Sequence, residues 1–335
     1  MKATFDGTWV RLGPDGRTLY DQSGYGRPAD GGLRLAPEEA LYLLHRGRIE
    51  VAGFNFDRLL SLFCEKPNQI RSFLVYRDIR ERGYAVQTGP HDFRVFRRGE
   101  RPGTGQSQYL VRVISERDLV GFPLLLQEAA TSSKMRKQHI LAVVDDENEL
   151  TYYEAKVQPL PSLASAPACP LFDAFLAGRN AVARLLPGGP EIPGSFGMRL
   201  DPGRLLLSPL ETLYLLQTGC LRLQGPEGLV GEEDYFATAS GADVEMTEKA
   251  AVYADLRMHG YVPRTGYKFG HHFRVYTGQK VHSDMLVHAV AGSASLPMST
   301  ISRSVRLSHS VKKKMLFGCV HSTGIHYLEF ARVKL

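Results

Sequence analysis

The stretch VYADLRMHGYVPRTG (252–266) occurs twice in the chain, the other time as VYRDIRERGYAVQTG (75–89). Three more pairs occur in the same order: LYLLHRGRIEV (41–51) with LYLLQTGCLRL (213–223), QSQYLVRV (106–113) with HSDMLVHA (282–289), and LTYYEA (150–155) with IHYLEF (325–330). Ordered matches of this kind indicate a tandem duplication. We therefore predict copy one at 1–158 and copy two at 171–335, joined by a Pro/Ala/Ser-rich linker at 159–170.

Both copies show one order of predicted elements. A helix begins after Ala36 or Ser208, with proline at its first position, and stops at Gly47 or Gly219. Ser208 is a good helix cap, whereas Ala36 has no capping side chain. A second helix, alternating strands, a third helix and two final strands follow. This order predicts an α+β fold, in which a small α-rich subdomain precedes an α/β subdomain in each copy.

Composition bounds the class of protein. The chain has 335 residues, 43% hydrophobic and 23% charged, which is typical of a soluble globular protein with an ample core. It shows no signal peptide or membrane span, so we expect no membrane partner. Its four cysteines have no metal or redox spacing, which favours reduced packing residues in a cytoplasmic protein.

Positive charge is concentrated in the last quarter of the chain. From Arg257 onward there are twelve lysines or arginines and two acids, Asp284 and Glu329, a local balance of +10. Eight of the eleven histidines lie there as well. This distribution indicates either a solvated basic face or a surface for a polyanion such as nucleic acid.

Comparison of the two copies singles out candidate catalytic residues. Tyr276 ends a predicted strand, and TGQKV (277–281) leads to His282 at the start of the next. An antiparallel hairpin would bring both side chains to one end of the sheet. The equivalent positions in copy one are Phe96 and Gln106. Copy one thus keeps the apolar pattern and lacks both ionisable groups.

A lysine is common to the two copies. SVKKKMLFGCV (310–320) matches KMRKQHILAVV (134–144), which pairs Lys313 with Lys137. Lys313 lies between a helix and an apolar strand, where a cation is favourable at the helix C-terminus. That effect alone explains a lysine in both copies. With Tyr276 and His282 beside it, Lys313 also becomes a candidate for catalysis.

Tyrosine, histidine and lysine together suit metal-free cleavage of RNA, whose 2′-hydroxyl is the nucleophile. Histidine exchanges protons near neutral pH, and lysine stabilises developing negative charge. Tyrosine has an ordinary pKa of about 10 and acts as a base only where neighbouring cations lower it. The remaining histidines of copy two lack ligand spacing, and the adjacent His271 and His272 point to opposite faces of a strand. We therefore predict no metal site and no cofactor.

Three motifs of copy two carry a resemblance to a known family. VYADLRMHGYVPRTGYKFGHHFRVY (252–276), HSDMLVHAV (282–290) and SRSVRLSHSVKKKMLFGCV (302–320) resemble the catalytic unit of the archaeal tRNA splicing endonuclease, or tRNA-intron lyase, in its two-repeat form. The resemblance implies a nuclease-like α/β subdomain at about 250–335. It also implies cleavage of precursor tRNA at a bulge-helix-bulge without metal, leaving a 2′,3′-cyclic phosphate and a 5′-hydroxyl.

The resemblance also implies roles for individual residues. Tyr276 would be the general base, His282 the general acid and Lys313 the transition-state stabiliser. Arg306 and Arg332 would sandwich a flipped bulge base, since guanidinium planes stack on bases. In this family the two-repeat chain works as a homodimer in which the degenerate repeat serves assembly.

A docking loop belongs to the same set of expectations. The family docks an acidic loop of the degenerate repeat onto a basic surface of a catalytic repeat. DDENE (145–149) supplies Asp145, Asp146 and Glu147 for that role, where copy two has HSTG (321–324). The alternative is an ordinary solvated turn.

This sequence departs from the family at two places. The loop from Tyr276 to His282 is short, and position 272 is histidine where relatives commonly have an acid, as copy one does at Asp92. The rival hypothesis for the whole chain is a non-catalytic RNA-binding or scaffold protein that uses its basic C-terminal region.

Overall fold

The computed structural model describes residues 1–65, 68–163, 169–189, 191–278 and 280–335. It divides into two compact units. The first contains Met1–Val157, Ser295–Arg306 and Glu329–Leu335, and the second contains Gln158–Ala294 and Leu307–Leu328. Of the predicted linker, residues 164–168 lie outside the described residues.

Copy one alternates short strands and helices. Its elements are β1 (Lys2–Phe5), β2 (Val10–Leu12), α1 (Arg17–Ser23), β3 (Arg27–Ala29), β4 (Gly32–Leu35), α2 (Pro37–His45), β5 (Glu50–Val51), α3 (Phe56–Cys64), α4 (Gln69–Glu81), β6 (Val86–Thr88), β7 (Phe93–Phe96), β8 (Ser107–Ser115), β9 (Leu119–Gly121), α5 (Phe122–Lys134), β10 (Gln138–Val144) and β11 (Leu150–Val157).

Copy two repeats this order with small changes at its beginning. Its elements are β12 (Phe172–Ala177), β13 (Asn180–Arg184), β14 (Met198–Asp201), β15 (Arg204–Leu207), α6 (Pro209–Gln217), β16 (Leu221–Gly225), β17 (Gly228–Val230), α7 (Glu232–Ser240), α8 (Met246–Met258), β18 (Tyr261–Thr265), β19 (Phe273–Thr277), β20 (Met285–Ala291), β21 (Ser295–Pro297), α9 (Met298–Ser310), β22 (Lys314–His321) and β23 (Gly324–Val333). The predicted α+β duplication is confirmed.

The first subdomain of each copy combines helices with a sheet that the sequence patterns did not indicate. The strand order is β3-β4-β2-β1-β5 in copy one and β14-β15-β13-β12-β16-β17 in copy two. These strands are only two to six residues long. The strands of two or three residues, such as β5 and β17, are too short for a clear alternation of apolar and polar residues.

The predicted helix starts are confirmed at α2 and α6. Ser208 caps α6, since its side chain accepts a hydrogen bond from the Glu211 N–H, and Glu211 Oε2 accepts one from the Ser208 N–H at 2.9 Å. Ala36 starts α2 without a side-chain cap, and there Glu39 alone reaches back to the Ala36 N–H, also at 2.9 Å.

The second subdomain of each copy is built on a mixed sheet. In copy two, β19 pairs antiparallel with β18 and β20, and β20 pairs parallel with β22, with α9 lying between them in sequence. Copy one repeats this with β7, β6, β8, β10 and α5. A parallel pair requires a crossover connection, which the helix provides.

Alternation along β19 separates the core from the candidate site. Phe273 and Val275 are buried in a cluster with Val252 and Leu256 of α8. Successive side chains of a strand point to opposite faces. Arg274 and Tyr276 therefore lie on the other face of β19, where both are partly exposed.

Candidate active site

Tyr276 lies near the end of β19, as the sequence predicted. It stands opposite Val262 of β18, and the Arg274 guanidinium carbon lies 5.8 Å from the centre of its ring. Arg274 is two residues earlier on the same strand, so both side chains share a face. The Tyr276 ring therefore has one cationic side chain, Arg274, on its own face of the sheet.

His282 lies in the loop from β19 to β20 and is exposed. The hairpin is antiparallel as predicted, although β20 begins at Met285, three residues after His282. The Asp284 carboxylate forms two hydrogen bonds at the end of this loop, which we call the Asp284 staple. Its Oδ2 accepts the Thr277 N–H at 3.2 Å, and its Oδ1 accepts a hydrogen bond from Lys280 Nζ at 2.9 Å.

Asp284 is a site residue that the sequence reasoning missed, although it was one of only two acids in the basic region. Partial burial raises the pKa of its carboxyl, but hydrogen bonds from Thr277 and Lys280 outweigh this and hold the pKa below its ordinary value. Its backbone N–H also donates to the Val275 carbonyl at 2.9 Å. Asp284 thus ties the loop that carries His282 to the strand that carries Tyr276.

Lys313 lies between α9 and β22, as predicted. Its Nζ donates a 2.6 Å hydrogen bond to the carbonyl oxygen of Ser283, the residue after His282. The next residue, Lys314, pairs with Met285 in the parallel β20–β22 ladder. Lys313 is therefore held against the loop that contains His282.

The equivalent positions of copy one meet at a single cavity. Phe96, Gln106 and Lys137 all line a space of about 460 Å³. In copy one the fold thus brings the three positions to one place, and two of them, Phe96 and Gln106, carry no ionisable group. Copy two carries Tyr276, His282 and Lys313 at those positions.

Two of the remaining histidines join a glutamate in a cluster that sequence spacing did not reveal. Ligand atoms of Glu245, His272 and His288 lie within 4.8 Å of one another, and the imidazole rings of His272 and His288 stack with centres 4.0 Å apart. Burial lowers the pKa of each histidine to about 4. Glu245 precedes α8, His272 precedes β19 and His288 lies in β20, so no local motif marks them.

The hydrogen bonding of His272 bears on whether this cluster suits a metal. Its Nδ1 accepts the Ala289 N–H at 3.0 Å, so the neutral ring carries its proton on Nε2. His272 Nε2 lies 3.3 Å from Glu245 Oε2, so its proton faces the carboxylate. A metal bound at Nε2 needs the lone pair that the proton occupies, so the tautomer favours a hydrogen bond to Glu245 over metal ligation.

Arg306 and Arg332 come together in the first compact unit. They line a cavity of about 340 Å³ that also contains Glu116, Asp145 and Glu149. The predicted base-binding pair thus shares this cavity with acidic side chains.

The predicted docking loop forms the turn between β10 and β11. Asp145 Oδ1 accepts the N–H groups of Glu147 and Glu149 at 3.0 and 2.8 Å, so this carboxylate stabilises the turn. Asp146 and Glu147 are exposed, and Asp146 pairs with Arg117. The turn therefore presents Asp146 and Glu147 rather than Asp145.

Comparison with known proteins fits this duplicated architecture. The profile described as tRNA intron endonuclease, catalytic C-terminal domain, matches twice, at 69–152 and 246–327. The profile for the N-terminal domain of the same enzyme also matches twice, at 1–60 and 192–236. The chain belongs to the tRNA intron endonuclease family. It is thus an enzyme of the class that the sequence motifs resembled.

Curated relatives agree over the full length. The tRNA-splicing endonuclease of Methanococcoides burtonii is 36% identical over 95% of both chains. That of Methanosarcina acetivorans is 36% identical over 100% of both, and that of Natronomonas pharaonis 36% over 93% of both. Among the residues that the structure describes, none of the helices could span a lipid bilayer.

Proposed function

We propose that the chain cuts precursor tRNA at bulge-helix-bulge sites, without a metal ion, and leaves a 2′,3′-cyclic phosphate and a 5′-hydroxyl. The observation that carries this proposal is the set Tyr276, His282 and Lys313, which is complete in copy two alone. The Lys313–Ser283 hydrogen bond and the Asp284 staple support it, since they join the three segments that bear these residues.

The roles follow from the chemistry of each side chain. Tyr276, acting as a phenolate, takes the proton of the RNA 2′-hydroxyl as the 2′-oxygen attacks phosphorus. The bond from phosphorus to the 5′-oxygen breaks, and His282 protonates that leaving oxygen. Lys313 stabilises the negative charge of the phosphorane. Proton transfer of this kind contributes roughly 10² to 10⁴ in rate.

The assembly belongs to the same proposal. The chain acts as a homodimer in which copy one supplies the acidic loop, and Arg306 and Arg332 hold an unpaired base of the RNA. Since the substrate is precursor tRNA, we place the reaction in the cytoplasm.

Cleavage of a labelled intron-containing precursor tRNA in EDTA tests the proposal. Wild type should release the intron, His282→Ala should lose cleavage, and Gln106→Ala at the equivalent position of copy one should cut normally. Analysis of the product ends should find a 5′-hydroxyl, which a kinase labels directly. It should also find a 2′,3′-cyclic phosphate, which a phosphatase removes only after acid has opened the cyclic ester to a monophosphate. Intact RNA with folded wild-type protein would refute the proposal, and a non-catalytic RNA-binding protein would give binding without products.

A further inference from the structure

A cavity of about 550 Å³ lies within the second compact unit, where the first subdomain of copy two meets β18 and β19. Its volume is in the range of small-ligand sites. Arg179, Lys249, Arg264 and Arg274 bring positive charge to its lining, and Glu211 and Asp243 bring negative charge.

Two of these arginines face each other across the strands. Arg264 of β18 pairs in register with Arg274 of β19, so both side chains project from the same face of the sheet. Like charges in that arrangement repel one another. The buried Nε of Arg274 has no hydrogen-bond partner among the described residues. An anion between the two guanidinium groups would relieve both conditions.

The acids of the lining are already engaged. Glu211 accepts hydrogen bonds from the Gly197 N–H and the Ser208 N–H and hydroxyl, each at 2.9 Å, and lies 3.5 Å from Arg264. Asp243 holds Lys249 through both carboxylate oxygens at 3.0 Å. Arg274 has no carboxylate partner among the described residues.

Copy one shows what replaces this arrangement in the repeat without the catalytic set. The position of Arg264 is Gln87, whose Oε1 accepts a 3.0 Å hydrogen bond from Arg94, the counterpart of Arg274. Gln87 also donates to the Gly26 carbonyl, just as Arg264 donates to the Gly197 carbonyl. The Nε of Arg94 is also buried without a hydrogen-bond partner among the described residues, so copy two differs from copy one in having two opposed cations and not in the unpartnered Nε.

The residue at the mouth of the cavity also differs between the copies. In copy one Arg27 reaches across to the Thr88 carbonyl, and both residues line a cavity of about 240 Å³ whose lining includes neither Gln87 nor Arg94. The residue at the corresponding place in copy two is Met198, which is 58% exposed and leaves Thr265 in the lining of an open cavity.

The arginine pair adjoins the candidate catalytic residues. In copy one, Gln87 and Arg94 line the same cavity as Phe96, Gln106 and Lys137. In copy two, Arg274 lies 5.8 Å from the Tyr276 ring. Tyr276, His282 and Lys313 do not line the 550 Å³ cavity themselves, so the link between the arginine pair and the catalytic set is Arg274, which contacts the cavity and lies beside Tyr276.

We propose that Arg264 and Arg274 form a phosphate-binding subsite that holds a backbone phosphate of the RNA substrate flanking the scissile phosphodiester. The subsite rests on the proposed function for the nature of its ligand. Guanidinium groups suit it because they bind phosphate oxygens through paired, charge-assisted hydrogen bonds.

The first test is Arg264→Gln, which installs the residue of copy one and keeps a donor for the Gly197 carbonyl. The variant should fold with an unchanged melting temperature and bind precursor tRNA on the order of tenfold more weakly, the loss expected for one charge-assisted hydrogen bond. The slope of log affinity against log salt should fall by about one. Cleavage at RNA concentrations below the dissociation constant should fall by about the same factor as the affinity.

Two further variants separate contact from bulk charge. Arg264→Lys should keep the salt slope. Arg222→Gln removes one charge from a residue that pairs with Asp173 at 2.8 Å outside the cavity, and it should change neither affinity nor salt slope. Equal weakening by Arg264→Gln and Arg222→Gln would overturn the subsite.

A scan of neutral methylphosphonate linkages, one at a time around the cleavage site, identifies the phosphate. When the contacted linkage is neutral, the affinity of wild type for the RNA should fall to that of Arg264→Gln for unmodified RNA. The affinity of Arg264→Gln should not fall any further with this modified RNA. If the loss of affinity from Arg264→Gln and the loss from a methylphosphonate were additive at every linkage, the subsite would be overturned and the proposed function would stay intact. Failure of wild type to cut the unmodified RNA would instead refute the proposed function.

Discussion

The ammonium nitrogen of Lys313 lies 2.6 Å from the carbonyl oxygen of Ser283, next to His282 in the chain. A carbonyl acceptor orients the lysine without neutralising it, so two N–H donors remain for a phosphate. The same bond supports the loop, so structural and catalytic roles have to be separated by experiment.

The change Lys313→Met separates those roles. Cleavage should fall by roughly 10² to 10³, the usual effect of losing one donor to a developing negative charge. Stability should fall by only about 1 kcal/mol, the net value of one hydrogen bond. Single-turnover cleavage and thermal unfolding measure the two effects. Lys137→Met in copy one is the matched control and should cut normally; an equal loss in both variants would contradict the catalytic role.

Tyr276→Phe installs the residue that copy one carries at Phe96. The variant should fold and bind RNA as wild type does, because the ring is kept. Cleavage should fall by about 10² to 10⁴, since the proton acceptor is gone. Phe96→Tyr serves as the reciprocal control and should not create activity, because Gln106 remains. Full cleavage by Tyr276→Phe would remove the tyrosine from the mechanism.

The sequence predicted those parts of the fold that have strong local signals. Ser208 with Pro209 and Gly219 marked a helix at both ends, and the pairing of Tyr276 with Phe96 followed from comparison of the copies. Strands as short as β5 carry no such signal, because two residues cannot show a period.

Tertiary contacts account for what was missed at the site. His272 meets His288 and Glu245 only after a strand, a loop and a helix are packed together. A hydrogen bond in the folded structure also explains why position 272 is histidine where copy one has Asp92. Asp92 Oδ2 accepts the Val113 N–H at 2.7 Å, and His272 Nδ1 accepts the equivalent Ala289 N–H. Two different side chains thus satisfy one backbone group.

This equivalence predicts how position 272 tolerates change. His272→Asp should cost less than about 1 kcal/mol, because a carboxylate keeps the acceptor. Lys249, 3.0 Å from Glu245, offsets the added negative charge. His272→Leu should cost about 1 to 3 kcal/mol, because the Ala289 N–H loses its partner. Urea unfolding at pH 7 measures both, and equal destabilisation by the two variants would show that the hydrogen bond is not what position 272 provides.

The acidic turn between β10 and β11 allows the proposed homodimer to be tested. Asp146→Lys together with Glu147→Lys should dissociate the proposed homodimer, because it reverses the charge that the loop presents. The Asp146–Arg117 pair is exposed and contributes little to stability, so the monomer should stay folded. Sedimentation velocity reports the association state. Glu227→Lys with Glu233→Lys makes the same change of charge at exposed positions of copy two, and it should leave the dimer intact. A loop variant that still sediments as a dimer would argue for an ordinary turn.

Buried histidines predict a loss of stability in acid. Burial lowers the pKa of His139 to about 4, and the same holds for His271, His272 and His288. Because the unfolded chain takes up these protons near pH 6.5, each histidine contributes stability above that pH and loses it as the pH falls toward 4.

His139→Met tests one of these groups, because Met315 is the equivalent residue in copy two. The free energy of unfolding of wild type should fall between pH 7 and pH 5, and His139→Met should recover about 2 kcal/mol of that loss. Glu128 does not affect this comparison between pH 7 and pH 5. Burial raises the pKa of its carboxyl, but hydrogen bonds from His91 and Arg112 outweigh this and hold the pKa at about 2. Its contribution to the free energy of unfolding is therefore lost only below pH 4.5. Urea unfolding at each pH measures the change. A variant with the same acid sensitivity as wild type would show that His139 is not one of the groups responsible.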